Sequence, residues 1–368
     1  MSTASRQAAG AGESTWLAFR PRDTLFIRDG RDFDAAADTA GMSVRPSPTT
    51  VAGAAAAVLG GDPDEVRGPV LARLTGGDPD AYFPVPADLA RTPGSGPARV
   101  HRLVPRHFDG AATDLDDKLI AGGPGRPRWL GPPDDVGAVE PLTGLIPADR
   151  LAAYLAGELP ARTGSALGAL GRIDDPFALE RRVGLARDGR RARAGYLYQV
   201  THLRAQDDWA YLAQCAFAAG EAKSPRSPQV KLGGRGRLAD VTETTLAWPG
   251  GGRPVGQRVL AYLATPALWP GGWRIPERDG AHLVAAACGK PLPAATLTPG
   301  ERWRESRVQR WAVPAGSVYL LEFDDAPTAV AWAARYHGTA YGPGEPSPEL
   351  EHMRTAGFGV VLTGVWDD

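Results

Sequence analysis

Basic residues and glycines alternate at one point of the chain in a pattern suited to an anion. Lys231 precedes Gly233-Gly234-Arg235-Gly236-Arg237. Glycine lets a backbone approach a phosphate closely, and successive N–H groups in a tight turn form a concave nest for negative charge. Arg235 and Arg237 add the forked N–H donors that match phosphate oxygens. A plain surface turn would use the same residue types. Gly234-x-Gly236-x-x-Ala239 also fits a loose dinucleotide fingerprint. However, Val241-Thr242-Glu243-Thr244-Thr245 behind it is β-branched and does not make the required helix.

A second concentration runs from Glu180 to Arg204. It holds seven arginines (Arg181, Arg182, Arg187, Arg190, Arg191, Arg193 and Arg204), with Glu180 and Asp188 as its acids. Such a run is either a solvated loop or a track that neutralises several phosphates with a steep salt dependence. Arg182, Arg187 and Arg193 are the candidate RNA contacts. Tyr196 and Tyr198 offer planes for unpaired bases, although core packing suits them better. His202 lies beside these arginines and is a further candidate RNA contact, with a structural role as the alternative.

Two further places could meet a phosphate. Ser47-Pro48-Thr49-Thr50 opens a helix, whose free N–H groups and positive dipole end attract anions. Ser47 and Thr49 could take part, with Arg28, Arg31 and Arg45 near in sequence; an ordinary helix cap is the alternative. Gly357-Phe358-Gly359 resembles the glycine-rich loop of RAMP proteins, which implies that Gly357 and Gly359 admit an RNA backbone; a tight turn before the last strand is the alternative.

Other chemistries find no footing. The six histidines (His101, His107, His202, His282, His337, His352) form no His-Asp dyad and no H-E-x-x-H pair. Cys215 and Cys288 make no C-x-x-C and have no zinc-finger spacing. G-x-S-x-G and Walker sequences are missing. Gly-Gly-Asp-Pro-Asp occurs at 60–64 and at 76–80. Proline inside its acidic pair would disturb a metal-holding hairpin, so both copies read as loops. No cofactor or metal is expected.

The elements that must hold these residues follow from pattern. Trp16–Phe19 reads as a strand. Thr49–Leu59 reads as a helix, capped by Ser47-Pro48 and stopped by Gly60-Gly61. From Gly60 to about Arg172, proline and glycine leave few firm elements: a strand at Leu142–Ile146 and a helix at Ala148–Leu155. Arg187-Asp188-Gly189-Arg190 reads as an exposed hairpin tip or a flexible loop. Tyr196–Leu203 is a strand, with Trp209–Ala216 as its antiparallel partner across Gln206-Asp207-Asp208. Val230-Lys231-Leu232, Arg258–Ala264, Val308–Val313 and Ser317–Phe323 are strand-like. Ala326–Tyr336 is a helix stopped by Gly338, and Gly359–Trp366 is a closing strand. Strand, strand, helix, strand fits an α+β sandwich of the ferredoxin-like kind. Trp303, Trp311, Trp332 and Trp366 suit a core or a subunit interface.

The 368 residues suffice for two domains. With 46 glycines and 34 prolines, long loops are expected. A formal charge of −1 is low for a free-standing nucleic-acid binder and fits a subunit better. The small polar start, Met1–Ser14, reads as a floppy tail and not a signal peptide. No apolar run is long enough to span a membrane. A cytoplasmic location follows.

Several segments, in order over Arg20–Trp366, together resemble the RAMP superfamily, and specifically the third subunit of type III-B (Cmr) CRISPR effector complexes. They are Arg20-Pro21-Arg22-Asp23-Thr24-Leu25-Phe26-Ile27-Arg28-Asp29-Gly30-Arg31, Pro46–Ala54, Arg182-Val183-Gly184-Leu185 with Gly195–Tyr198, and Leu232–Arg237. Thr265-Pro266-Ala267 with Gly272-Trp273, Val313–Tyr319 and Gly357–Gly364 complete the series. Family members often carry an acid after the paired glycines; here that residue is Arg235.

The resemblance implies an α+β fold of two ferredoxin-like (RRM-like) RAMP units with large loop insertions. The expected division is a disordered tail at 1–14, an N-terminal unit over 15–205 with insertions at about 60–195, and a C-terminal unit over 206–368. It implies no active site. The implied role is binding the 5′ tag of guide RNA, next to a target RNA duplex, while docking on the polymerase-like large subunit and the backbone subunit. The rivals are a RAMP endoribonuclease using His202, a purely structural bridge, and a related type III-D subunit.

Overall fold

The computed structural model describes residues 14–28, 43–94, 98–106, 128–217, 223–296 and 308–366. Arg31, His107, Trp303 and all of the expected tail except Ser14 lie outside these residues. The described chain is a mixed α and β protein, rich in sheet with few helices. Its contacts divide it into two compact units, and both are discontinuous. One comprises residues up to Pro79, Pro176–Leu246 and Thr355–Gly357; the other comprises Asp80–Asp175, Ala247–Arg354 and the residues from Phe358. This division differs from a linear split near residue 205.

The first unit contains β1 (Ser14–Pro21), α1 (Pro48–Leu59), β2 (Glu65–Arg73), β3 (Phe177–Asp188), β4 (Arg191–Ala205), β5 (Trp209–Ala216), β6 (Gln229–Lys231) and β7 (Leu238–Thr244). Its sheet runs β6-β7-β1-β5-β2, and each neighbouring pair is antiparallel. Leu17 of β1 sits opposite Ala213 of β5 on one side and Glu243 of β7 on the other. Trp16 to Phe19 are all buried. Such an unbroken apolar run belongs to a strand covered on both faces.

The expected pairing of Trp209–Ala216 with Tyr196–Leu203 is corrected here. Trp209 to Ala213 are buried without a break, and β5 pairs with β1 and β2. A hairpin with β4 would have cost it one of those two neighbours. β4 pairs instead with β3 in a long two-stranded ribbon, whose turn falls at Gly189-Arg190 as the sequence suggests.

α1 follows its sequence signals closely. Ser47 caps it, its Oγ accepting from the Thr50 N–H at 3.3 Å, and Pro48 takes the first turn. Gly60 ends the helix at φ 73°, its N–H reaching the Ala56 carbonyl. Val51, Ala54, Ala55, Val58 and Leu59 are buried along one stripe, against β2, β5 and β6. β2 is hidden in the sequence because Gly68-Pro69 looks like a breaker. The strand absorbs both through a register shift opposite Leu212–Gln214, a bulge of the kind that tolerates proline.

In the second unit, α2 (Ala148–Leu155) follows a short strand, Leu145–Pro147, that pairs with Asp80–Pro84. The main sheet is formed by β8 (Arg258–Leu263), β9 (His282–Ala287), β12 (Val318–Glu322), β13 (Thr339–Ala340) and β14 (Val360–Gly364). Its order is β9-β12-β8-β14-β13, again antiparallel. A separate pair joins β10 (Leu292–Thr296) to β11 (Val308–Ala312). α3 (Ala326–Tyr336) buries Ala329, Trp332, Ala333 and Tyr336 against β8 and β14. α4 (Pro348–Thr355) has little apolar periodicity, so the sequence pattern does not signal it. Trp332 and Trp366 are buried, whereas Trp311 is 66% exposed.

Candidate nucleic-acid interface

Three pieces of the first unit build the basic site: one face of the β3–β4 ribbon, the segment Arg22–Ile27, and the turn between β6 and β7. In the ribbon, Arg204, His202, Val200 and Tyr198 stand opposite Ala178, Glu180, Arg182 and Gly184. Strand alternation puts these eight residues on one face. The segment is stitched to β4 by reciprocal bonds between Leu25 and Leu203, of 2.7 and 2.9 Å. The turn is closed by the Leu232 N–H on the Arg237 carbonyl, at 2.8 Å.

The glycines of this turn answer first to the protein. The Gly234 N–H bonds to the Phe26 carbonyl at 2.7 Å. Gly233 has φ 86°, and a Cβ there would come within 2.7 Å of Ile27 Cγ1 and 2.9 Å of the Phe26 carbonyl oxygen. Arg235 itself is left-handed at φ 57°. Its exposed guanidinium lies 5.1 Å from the Phe26 ring centre and 5.8 Å from that of Tyr198, close enough for cation–π attraction. Tyr198 gains room because Gly184 stands opposite it: a Cβ at Gly184 would fall 2.3 Å from its ring.

Beside this turn, three guanidiniums surround Asp23. Its Oδ2 accepts from Arg237 at 2.5 Å and lies 3.5 Å from Arg182, while Oδ1 is 3.2 Å from Arg204. Glu180 binds two of the same arginines, Arg182 at 2.7 Å and Arg204 at 2.5 Å. Three guanidiniums against two carboxylates leave a charge of +1, before Arg235 is added. The Thr24 N–H, followed by the Coulombic pull of Arg237, Arg182 and Arg204, holds the Asp23 carboxyl below its ordinary value. Hydrogen bonds from Arg204 and Arg182 do the same for Glu180.

His202 sits beneath this cluster and is buried. Its Nδ1 is 2.9 Å from Thr24 Oγ1, and its ring lies 5.0 Å from that of Phe26. Burial, reinforced by Arg182, Arg237 and Arg235, lowers its pKa. The imidazole is therefore packed, and its surroundings disfavour the charged form.

Along β3 beyond Phe177, the other ribbon face points outward. Leu179, Arg181, Val183 and Leu185 alternate onto it and are all exposed, Val183 at 69%. Arg187, Arg190 and Arg191 are exposed near the tip and form no ion pair among the described residues. Arg193 lies on β4.

The remaining candidates are placed as follows. Lys231 is exposed at the end of β6. Arg28 pairs with Ser43 by a β-bridge, and Arg45 lies 5.6 Å from the Phe177 ring centre. The Ser47 hydroxyl is engaged with the hydroxyls of Thr49 and Thr50, at 2.9 and 3.0 Å. Gly236, at φ 68°, is exposed in the turn. Gly357 and Gly359 are buried. A Cβ on Gly357 would meet the Gly68 carbonyl oxygen at 2.7 Å; on Gly359, that of Tyr341 at 2.7 Å. Protein packing accounts for both glycines.

Of the expected residues, the fold thus unites Arg182, His202, Gly233, Gly234, Arg235 and Arg237. Sequence reasoning left out Asp23, Glu180, Arg204, Thr24 and Phe26. Glu180 and Arg182 stand two apart, so strand periodicity could have placed them on one face. Nothing local signals Asp23, since its arginines lie far along the chain. Among the described residues, no group of three or more His, Cys, Asp or Glu is placed to hold a metal ion. No helix among them is long and apolar enough to cross a membrane.

A sheet-rich α/β chain with this guanidinium cluster finds its match among CRISPR-associated proteins: the family described as CRISPR-associated protein (Cas_Cmr3) matches residues 17–366. The chain belongs to this Cmr3 family. It is similar to a chain in the cryo-EM structure of the Type III-B Cmr-beta bound to cognate target RNA and AMPPnP (state 1). The identity is 14% and the TM-score 0.48, over 93% of this chain and 94% of that one. A second similar chain, from the Type III-B Cmr-beta bound to cognate target RNA, has 14% identity and a TM-score of 0.43, over 83% and 86%. No curated protein matches the sequence.

Proposed function

We propose that this protein is a non-catalytic guide-RNA-binding subunit of a type III-B (Cmr) effector complex. It holds the 5′ repeat-derived tag and docks the polymerase-like large subunit and the backbone subunit. The observation that carries this reading is the gathering of Arg182, Arg204, Arg235 and Arg237 around one partly exposed patch, in a chain of the Cmr3 family. Guanidiniums grip phosphate through paired, charge-assisted bonds, and single-stranded RNA is recognised through backbone and splayed bases. The outward face of β3, where Arg181 stands among the exposed apolar side chains of Leu179, Val183 and Leu185, suits a protruding element beside the guide–target duplex.

The strand orders support reading both units as ferredoxin-like. Taken in chain order, the four core strands of each unit (β1, β2, β5, β7 and β8, β9, β12, β14) lie fourth-first-third-second across the sheet. A helix follows the first strand in one unit, α1, and the third strand in the other, α3. The non-catalytic reading is supported by the burial of His202, the residue an endoribonuclease would have used. The test is crosslinking in the assembled complex. The 5′ tag is expected on peptides spanning Arg182–Arg204 or Lys231–Arg237. Crosslinks of the tag confined to another subunit would sink the proposal, and metal-independent cutting of repeat RNA, lost in His202→Ala, would favour the nuclease.

A further inference from the structure

The Asp23 carboxylate stands at the centre of the arginine cluster. Its two oxygens bridge three guanidiniums, Oδ2 to Arg237 and Arg182 and Oδ1 to Arg204. Two non-bridging phosphodiester oxygens would make the same kind of contact. Glu180 contacts Arg182 and Arg204 only, so Asp23 is the one acid on Arg237 among the described residues. The carboxylate is 44% exposed, so it stands at the mouth of the cluster. It is also held there: the Arg22 N–H bonds to the Leu238 carbonyl at 3.1 Å, and Leu25 is tied to Leu203 on the other side.

We propose that Asp23 is a specificity-determining residue, a built-in competitor for phosphate. It keeps the arginines spread in a phosphate-ready arrangement while cancelling part of their charge. A strand that offers one phosphate must share or displace it against like-charge repulsion. A strand that also engages Arg235 and the ribbon arginines gains enough to do so. The isolated chain is thereby restrained from holding arbitrary RNA. This inference rests on the RNA-binding reading above.

The test uses the full chain and a labelled single-stranded RNA of mixed sequence, titrated at several salt concentrations. Asp23→Asn is expected to bind about fivefold more tightly, the effect of removing one nearby negative charge at a wet surface. Its plot of log affinity against log salt should steepen by about 0.7, the increment for one more neutralised phosphate. Asp23→Ser should follow the same direction, and both should melt within a few degrees of the parent. Unchanged or weaker binding by both folded variants overturns the inference. Arg182→Ala/Arg237→Ala provides the second arm. If that pair weakens binding while the Asp23 variants fail to strengthen it, only the competitor role falls. If the pair leaves binding unchanged, the RNA-binding reading falls with it.

Discussion

The Tyr154 hydroxyl donates a 2.8 Å hydrogen bond to Oδ1 of Asp88, and both side chains are buried. The Arg102 guanidinium completes the group. Its Nε is 3.6 Å from Asp88 Oδ2, its Nη2 donates to the Tyr154 carbonyl at 2.9 Å, and its centre lies 4.3 Å from the Tyr154 ring. This network pins the end of α2 within the second unit. Burial raises the Asp88 pKa despite the opposing pull of Arg102.

Removing one partner of a buried ion pair strands the other. Asp88→Ala is therefore expected to destabilise the protein by about 3 kcal/mol, and Tyr154→Phe by about 1 kcal/mol, in urea unfolding. The pH dependence has a definite sign. A carboxyl whose folded pKa lies above its unfolded one takes up a proton on folding, so its contribution is present at low pH and is lost as pH rises through the folded value. Compared with Asp88→Asn, the parent should lose stability on raising the pH from 3.8 through that higher value.

His202 behaves oppositely. Its folded pKa is lowered, so the unfolded chain binds the proton more readily. The stability of the parent relative to His202→Gln should fall as pH drops through the ordinary histidine value of about 6.5. Thermal melts between neutral and mildly acidic pH would read this; a constant difference would contradict it.

The turn glycines differ in what they require. Gly233→Ala meets both a left-handed φ and a clash with Ile27 and the Phe26 carbonyl, whereas Gly236→Ala meets only the φ. The first should cost about 2–3 kcal/mol and the second about 1 kcal/mol, read as shifts in unfolding midpoint. Equal costs would show that the turn can retreat from Phe26.

The ribbon tip separates binding from stability. Arg187, Arg190 and Arg191 are exposed and form no ion pair among the described residues. Their triple replacement by alanine should leave the melting temperature almost unchanged. It should flatten the salt dependence of RNA binding by up to about 0.7 per arginine that meets a phosphate. Intact RNA binding with an unchanged slope would take the tip out of the interface.

Local signals suffice for several elements. Ser47-Pro48 and Gly60 bound α1, and Gly338 lies just past α3, because caps act within one turn of chain. The apolar run in β1, the hairpin tip at Gly189-Arg190 and the glycine turn at Gly233–Arg237 are equally local. Other elements are not legible. β2 passes through Gly68-Pro69, which only a bulge across from β5 makes tolerable. β5 looks like the partner of β4 because adjacency in sequence favours hairpins, yet its two buried faces place it between β1 and β2.

The same boundary divides the site. Composition and spacing name the residue types at hand: arginines in excess on the ribbon and glycines in the turn. Chain folding alone makes Arg182, Arg204 and Arg237 converge on Asp23, seals His202 beneath Thr24 and Phe26, and turns Gly357 and Gly359 to packing. Caps, turns and alternation are set by neighbours along the chain. Charge pairing and burial depend instead on which strands become neighbours in the sheet, and that is set by the burial of the whole core.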